Sequence, residues 1–435
     1  MIAFEGSAWL PVAVPSKRNG RQNSSAADAR RQRDSLSLSP ERSGLKPPLA
    51  VSSAGARLEP FAKTRPIRVL MVAARFYPDL GGTETHIYEV TRRMALRGDL
   101  DLTILTTDRL GTRSTREEFE GFSVLRCRSY PRNRDYYFAP DVYRQVRHGD
   151  YDIIHCQGIH TAVPILAIIA ARRRRVPYVV TLHTGGHSSD FRHRIRHAQW
   201  RALAPLLRGA AIVVAVSRFE QRLFEEVCSL DATRLRIIQN GGDLPSSVES
   251  TEIIPGRIVS TGRLERYKGH QRVIDALPII QQSIPNATLH ILGSGPYERQ
   301  LRSLINTRGL EKSVTIEYIA PADRERMAVS LRQAAIVTAL SEYEAHPVTI
   351  MEALTLGIPT VGLDTAGIRD LVEDGLVTGV PRDASPTMIA RVLIAALEGH
   401  RVSSSAKLPT WDSAAFDLAH VYVDVVEAAP TPLRS

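Results

Sequence analysis

The chain has 435 residues, of which 43% are hydrophobic and 23% are charged, which is the balance of an ordinary globular protein. This length suggests about two to four domains, and no apolar run approaches the ~20 residues that a membrane-spanning helix needs. The three cysteines lie far apart without CxxC spacing. This pattern argues against a disulfide scaffold or a cysteine zinc site and favours a reducing, cytoplasmic location.

The formal net charge of +10 is unevenly distributed along the chain. Residues 1–64 carry ten Lys and Arg against five Asp and Glu, which accounts for about half of the excess. The segment is rich in Ser, Arg, Pro and Ala without a sustained hydrophobic period, so we predict a disordered basic tail. The sequence shows no patterned basic face, so nucleic acid is not predicted as a partner. The surplus suits a nucleotide diphosphate or an acidic membrane surface.

From residue 65 onward, short apolar runs alternate with amphipathic helical stretches. The predicted strands cover residues 67–73, 102–106, 122–126, 152–155, 178–183, 212–216 and 236–239. The predicted helices between them include residues 84–97, 161–174, 193–207 and 218–227. Strands that alternate with helices predict βαβ units and a parallel sheet covered on both faces. We assign residues 65–248 to this N-terminal Rossmann-like domain.

A polar stretch at residues 244–256 interrupts the alternation, which then restarts. The second set of predicted strands covers residues 257–261, 288–292, 314–318, 335–339 and 360–363, and the predicted helices cover residues 269–283, 297–307, 322–332, 347–356 and 386–397. We assign residues 249–402 to a second Rossmann-like domain. The predicted fold class is therefore α/β, with two doubly wound domains facing each other across a cleft at the carboxyl ends of their strands.

The strongest candidate site follows the predicted strand at 335–339. Pro347 suits the first position of a helix, so the amide groups of Val348 and Thr349 would point out of the positive helix end and bind an anion. Glu344 and Glu352 flank this site and could grip the two ends of a nucleotide sugar. The alternative interpretation is a pair of solvated glutamates on a surface helix.

Glycine-bracketed loops follow the first two strands of the second domain. Arg263 and Lys268 lie in the first loop, where a Rossmann-type domain binds phosphate, and both side chains suit phosphate oxygens. Gly293 and Gly295 form a GxG turn after the next strand, which is weaker evidence for ligand contact. The alternatives are a solvated basic loop and a tight strand-to-helix turn. The spacing does not match an NAD fingerprint.

The first domain offers two further candidates at the predicted cleft. Gly81 and Gly82 precede the first helix and allow a ligand to approach the backbone closely, and Thr83 is a candidate helix cap. His183 ends a predicted strand and would lie at the cleft, although a lone histidine is more often structural. The 13 histidines show no metal-binding spacing, so no metal site is predicted.

Residues 165–171 are apolar and are followed by four arginines at 172–175. One interpretation seats this helix on an anionic membrane, as a peripheral contact on the inner membrane face near a lipid-linked acceptor. The plainer interpretation, which we favour, is a core helix with a solvated basic end.

Together these motifs resemble family 4 of the glycosyltransferases, retaining enzymes of the GT-B fold. The resemblance runs from about residue 65 to the C-terminus. Its motifs are GGTE at 81–84, TLH at 181–183, VS at 216–217, IQNGGD at 238–243, the loops at 262–269 and 293–295, the Glu344–Glu352 pair, GIRDLVEDG at 367–375 and a terminal helix after Trp411. The chain departs from the family at Ala345, His346 and Pro347, where many members are glycine-rich, and at NGGD, where NGVD is usual.

The resemblance implies a nucleotide-sugar donor, UDP- or GDP-linked, bound to the second domain. Arg263 and Lys268 would hold its diphosphate, Glu352 its ribose, and Glu344 its sugar, while His183 would face the sugar from the first domain. The C-terminal segment at 403–435 would be a helix that packs back on the first domain. With two fixed cations at the diphosphate, we expect no metal or other cofactor.

The implied reaction is transfer of a hexose, with retention of configuration, to a glycan, a lipid-linked or a small-molecule acceptor. Polysaccharide or glycolipid biosynthesis would be its setting. Two alternatives remain open from the sequence: a sugar-nucleotide epimerase of the same fold, and a non-catalytic protein that binds a nucleotide sugar.

Overall fold

A computed structural model describes residues 65–429, except for residues 80, 110, 112, 114, 132–137, 186–189, 246–250, 321 and 400–406. The predicted basic tail at 1–64 lies outside the described residues, as do the two ends of the segment 403–435. No helix in the described ranges has the length and apolar character needed to cross a membrane.

The first sheet has eight strands in the order β3-β4-β2-β1-β5-β6-β7-β8, all parallel except β3, which pairs antiparallel with β4. Its strands are β1 (Ile67–Val72), β2 (Leu100–Asp108), β3 (Arg116–Phe119), β4 (Phe122–Arg128), β5 (Ile153–Gln157), β6 (Tyr178–Thr181), β7 (Ile212–Ala215) and β8 (Leu235–Ile237). The helices are α1 (Gly82–Ala95), α2 (Pro140–His148), α3 (Ala162–Arg174), α4 (Asp190–Arg208) and α5 (Arg218–Cys228). Buried strands such as β6 and β7 explain the apolar runs in the sequence.

The second sheet has six parallel strands in the order β11-β10-β9-β12-β13-β14. They are β9 (Arg257–Thr261), β10 (Thr288–Leu292), β11 (Val314–Glu317), β12 (Ile336–Ala339), β13 (Thr360–Leu363) and β14 (Thr378–Val380). The helices are α6 (His270–Ser283), α7 (Glu298–Thr307), α8 (Arg324–Arg332), α9 (Val348–Thr355), α10 (Ala366–Glu373) and α11 (Pro386–Leu397). The two doubly wound α/β sheets predicted from the sequence are thus both present.

A last helix, α12 (Trp411–Ala428), follows the second sheet in the chain but packs against α1 on the first sheet. Thr410 and Ser413 form a capping box at its start. Its buried residues, Trp411 and Tyr422 among them, join the apolar cluster that covers one face of the first sheet. The first sheet is therefore covered by a helix from the far end of the described chain.

Helix α3 contributes its apolar residues to the core on the other face of the first sheet, including the buried Ala167 and Ile168. The plainer interpretation of this segment, a core helix with a basic end, agrees with that packing. The arginines at its C-terminus lie near the edge of the sheet where the strands begin, because a crossover helix runs antiparallel to its strands. The cleft lies at the opposite edge, where the strands end.

The sequence did not predict four elements, namely β3, α2, α10 and β14. β3 is a polar edge strand whose residues alternate between exposed and half-buried, so it has no apolar run. α2 contributes only Val142 and Val146 to the core, and β14 is three residues long and contains a glycine. Elements this short carry too weak a hydrophobic pattern to be recognised from sequence.

Removing residues 1–64 is expected to change the free energy of unfolding by less than about 0.5 kcal/mol, because the described core clusters begin at Ile67. Chemical denaturation of the intact chain and of the chain lacking residues 1–64, monitored by circular dichroism, measures the difference in the free energy of unfolding. A chain truncated before α12 is the matched control and should lose stability strongly. Loss of the folded state in the chain lacking residues 1–64 would show that those residues belong to the fold.

Candidate functional site

The loops that follow β6 and β12 meet between the two sheets. Gly185 pairs with Glu344 as an isolated antiparallel bridge. Beside it, the Tyr343 hydroxyl donates a hydrogen bond to Thr184 Oγ1 at 3.0 Å. Both loops leave the carboxyl ends of their strands, which is where doubly wound sheets bind ligands. The predicted site residues Glu344 and His183 therefore lie on loops that touch.

Lys268 and Glu344 form an ion pair, with Nζ 2.5 Å from Oε1. Their side chains are only 15% and 17% exposed. Burial opposes the charge on Lys268, but the Glu344 carboxylate outweighs it and raises the pKa of the ammonium. The lysine predicted to hold a diphosphate is thus a permanent, partly desolvated cation at the loop junction.

Arg263 lies in the same loop as Lys268 but is exposed, and its guanidinium is 3.2 Å from Glu265 Oε1. Two predicted donor-binding glycines pack against this loop. A Cβ on Gly293 would lie 1.9 Å from the carbonyl oxygen of Gly262, and one on Gly295 would lie 2.5 Å from that of Leu264. The close approach of two backbones therefore requires both glycines, whatever their contact with a ligand.

The helix after Glu344 begins one residue later than predicted. Pro347 has an extended backbone and is the N-cap of α9, so the prediction that it occupies the first helical position is wrong. Its carbonyl accepts hydrogen bonds from the amides of Ile350 and Met351. The amides of Val348 and Thr349 have no hydrogen-bond partner within the described part of the chain. They remain available at the positive end of the helix, which begins shortly after Glu344 in the chain.

Glu352 lies in α9 and is nearly fully buried, with a side-chain exposure of 3%. One carboxylate oxygen forms an ion pair with Arg324 of α8, whose guanidinium also donates to the carbonyl of Asp243 at 3.0 Å. Burial raises the pKa of Glu352, and Arg324 partly opposes that rise. No other described residue donates a hydrogen bond to this carboxylate. Arg324 was not singled out from the sequence, since nothing in the α8 pattern distinguishes it from a surface arginine.

His183 follows β6 and is half-buried, and its Nε2 lies 2.7 Å from Gln157 Oε1. The ring of His86, from α1, packs edge-on against it with 4.8 Å between ring centroids. Burial is the main reason that the pKa of His183 is well below its usual value, and nearby His86 adds to the effect. At neutral pH the imidazole therefore carries no charge.

Gly81 and Gly82 lie at the start of α1, as predicted, but the capping prediction is wrong. Gly81 is the N-cap and Thr83 is already inside the helix. A Cβ on Gly82 would meet no other atom within 4 Å, so this end of α1 borders open space. Space beside the backbone is what the prediction of close ligand approach requires.

Asn240, in the IQNGGD motif, was missed as a site residue. Its side chain contacts both halves of the molecule. Oδ1 lies 2.9 Å from Nδ1 of His86 in the first half, and Nδ2 donates a hydrogen bond to the carbonyl of His346 in the second half at 2.9 Å. Close packing explains the unusual second glycine of this motif, because a Cβ on Gly242 would lie 2.3 Å from the carbonyl oxygen of Met351 in α9. The motif thus joins α1 to the loop that carries the candidate anion site.

Asp370, in the GIRDLVEDG motif, provides a second link across the cleft. Its buried carboxylate accepts hydrogen bonds from the Phe219 amide at 2.8 Å and from Arg222 at 2.9 Å, both in α5. Arg218 adds an ion pair with Asp374 at 3.0 Å. These contacts hold α5 of the first sheet against α10 of the second, which keeps His183 and Glu344 on facing loops.

This arrangement places a buried cation, an exposed cation and free helix amides opposite a neutral histidine, in a cleft between two doubly wound sheets. A family model described as Glycosyltransferase Family 4 matches residues 80–245, and one described as Glycosyl transferases group 1 matches residues 254–408. The chain belongs to family 4 of the glycosyltransferases. Its reaction is transfer of a sugar from a nucleotide sugar to an acceptor.

Two relatives act on mannose. The chain is 27% identical to the GDP-mannose:cellobiosyl-diphosphopolyprenol alpha-mannosyltransferase of Xanthomonas campestris, over 83% of this chain and 97% of that protein. It is 26% identical to the phosphatidyl-myo-inositol mannosyltransferase of Mycobacterium tuberculosis, over 76% of this chain and 88% of that protein.

Solved structures share the fold. Sucrose-phosphate synthase from Thermosynechococcus elongatus superposes with a TM-score of 0.65 at 17% identity, covering 83% of this chain and all of the other. A glycosyltransferase from Rickettsia africae gives a TM-score of 0.64 at 15% identity, covering 84% of this chain and all of the other. The predicted GT-B fold is confirmed.

Proposed function

We propose that the protein is a retaining mannosyltransferase that uses GDP-mannose and an anionic, lipid-linked acceptor. Two observations carry the donor half: the ion pair of Lys268 with Glu344, and the free amides of Val348 and Thr349 at the start of α9, the helix that follows Glu344 in the chain. Breaking the bond between a sugar and a diphosphate leaves negative charge on the diphosphate. Fixed cations and helix amides stabilise that charge more in the transition state than in the ground state.

The sugar and the acceptor class are supported by the two relatives. Both transfer mannose according to their names, one to a diphosphopolyprenol-linked sugar and the other to a phosphatidyl lipid. Both of those acceptors carry phosphate on a lipid, which suits a chain with a net charge of +10. On this proposal the protein works in glycolipid or polysaccharide biosynthesis, against a membrane that supplies the acceptor.

A panel of nucleotide sugars tests the proposal. The full chain is incubated with GDP-mannose, UDP-glucose, UDP-galactose or UDP-N-acetylglucosamine, with and without a polyprenyl-diphosphate-linked sugar or phosphatidylinositol in detergent. The expected result is GDP release that depends on GDP-mannose and rises with one lipid acceptor, with an α-linked product by NMR. An isomerised donor would identify an epimerase instead, and binding without turnover a non-catalytic protein. A β-linked mannoside would overturn retention.

Activity is expected to survive an excess of EDTA, with a rate within about twofold of the untreated enzyme. The reason is that Lys268 and the first amides of α9 supply positive charge where a divalent ion would otherwise neutralise a diphosphate. Initial rates of nucleotide release with and without EDTA measure this. Full loss of activity that manganese or magnesium restores would show that the reaction requires a metal.

A further inference from the structure

A buried chain of hydrogen-bonding side chains lies behind His183. Gln157, the last residue of β5, is 3% exposed and places its Oε1 2.7 Å from His183 Nε2. The other end of the same amide, Nε2, lies 3.4 Å from both ring nitrogens of His155. The amide of Gln157 is therefore held between two histidine rings.

His155 is itself fixed on both edges of its ring. The Tyr422 hydroxyl lies 2.7 Å from Nδ1, and Thr181 Oγ1 lies 2.7 Å from Nε2. All three residues are fully buried, and Tyr422 comes from α12. Burial is the main cause that lowers the pKa of His155 to about 3, and nearby His86 adds to the effect. The ring is therefore neutral, and one of its nitrogens must accept a hydrogen bond.

This arrangement dictates which way the Gln157 amide faces. Both nitrogens of the His155 ring already meet hydroxyl groups at 2.7 Å, and Gln157 Nε2 is equidistant from them, so this end of the amide lies against the face of the ring. The face of an aromatic ring is electron-rich and attracts an N–H group but not a carbonyl oxygen, so the NH2 end of Gln157 belongs there. The oxygen end can only accept, and it faces His183. Consequently His183 Nε2 must carry the hydrogen, and the lone pair stays on Nδ1. Nδ1 has no hydrogen-bond partner among the residues that the structure describes.

We propose that Gln157, His155 and Tyr422 are positioning residues that hold His183 as the neutral tautomer with its hydrogen on Nε2. This inference rests on the proposed function, in which His183 faces the donor sugar. A neutral ring that presents a lone pair favours a sugar that gains positive charge as its bond to the diphosphate breaks. An imidazolium or an Nδ1–H tautomer would present a donor to the same charge. Helix α12 thus acts on the reacting centre through Tyr422, without touching the substrate.

The tautomer is measured directly by long-range 1H–15N correlation NMR on the full chain labelled with 15N-histidine, without substrate. The signals of His183 are assigned by their absence in His183→Gln. We expect a protonated Nε2 and an unprotonated Nδ1 in the wild type. A protonated Nδ1 in the wild type would overturn the proposal. This result does not depend on transfer activity, so it separates the tautomer from the proposed function.

Steady-state kinetics test whether Gln157 and Tyr422 position His183 in the working enzyme. Gln157→Leu is expected to lower kcat about three- to tenfold, the scale of one hydrogen bond, while KM for the nucleotide sugar changes less than about twofold. Tyr422→Phe should show a smaller loss of the same kind. Gln281→Leu and Tyr178→Phe are matched controls, since these side chains hydrogen-bond Ser313 and the Leu206 carbonyl away from the cleft. Unchanged kcat in both Gln157→Leu and Tyr422→Phe would overturn the proposal.

Gln157→Glu keeps the shape of the side chain and remains informative if Gln157→Leu does not fold. The titratable groups that face His183 are His86, His155 and His160, all of which oppose its protonation. A carboxylate at 157 would instead raise the pKa of His183. We therefore expect a new acid limb, in which kcat falls as the pH falls through the raised pKa and the lone pair on Nδ1 is lost. A pH profile identical to that of the wild type would contradict the proposal.

Discussion

Replacing Lys268 with methionine is expected to lower kcat by about 10²-fold or more. The ammonium is held beside Glu344, and its raised pKa keeps it charged over the whole working range of pH. Methionine keeps the apolar stem but removes the charge that would stabilise the departing diphosphate. Initial rates of nucleotide release from the preferred donor measure the effect.

The variant needs two controls, because it leaves Glu344 without its ion-pair partner. Lys268→Met combined with Glu344→Gln removes the orphaned charge, and thermal unfolding then reports whether folding is intact. Lys312→Met removes an exposed lysine in the turn before β11 of the same sheet and should leave the rate unchanged. A folded Lys268→Met enzyme with near-normal turnover would remove the lysine from the donor site.

Replacing Glu344 and replacing Glu352 should have different effects on nucleotide binding. If Glu352 bonds the ribose, Glu352→Gln should weaken binding of free GDP or UDP by about ten- to a hundredfold, the scale of a charged hydrogen bond. If Glu344 meets only the sugar, Glu344→Gln should leave nucleotide affinity nearly unchanged. Its loss should appear in kcat, because a contact that strengthens as the sugar gains charge acts on the transition state.

Isothermal titration calorimetry of GDP and UDP into each variant decides between these assignments. Arg324 complicates the outcome, since it already pairs with one oxygen of Glu352. Arg324→Gln is therefore the matched control: if it weakens nucleotide binding as much as Glu352→Gln, the effect comes from the broken ion pair and not from the ribose. Equal losses in Glu344→Gln and Glu352→Gln, or none in either, would mean that the roles are wrongly assigned.

The sequence predicted the two sheets and the loops at their carboxyl ends because buried parallel strands such as β7 and β12 are largely apolar runs. It also predicted Lys268 and Glu344, since each follows a strand of the second sheet. Their direct pairing was not foreseeable, because residues 268 and 344 are joined only by the order of β9 and β12 in the sheet.

The residues that the sequence missed are those whose partners are brought close only by folding. Arg324, Asn240 and Gln157 are ordinary in their local patterns, and they matter through partners far along the chain. Gln157 could have been found by the rule that identified His183, because Gln157 ends β5 and His183 follows the end of the adjacent parallel strand β6. The N-cap of α9 was misplaced by one residue, which is the usual error at helix ends, where Pro suits both positions.

The covering of the first sheet by α12 bears on how the protein is made. A ribosome delivers the strands of the first sheet early, but the helix that buries one of their faces emerges only after the whole second sheet has been synthesised. Until then, residues such as Ile87 and Val90 of α1 lack the Trp411 and Tyr422 that seal them. The nascent chain therefore carries an exposed apolar face for most of its translation, which is the kind of surface that chaperones bind. A ribosome that stalls before α12 would release a chain that cannot complete its first core.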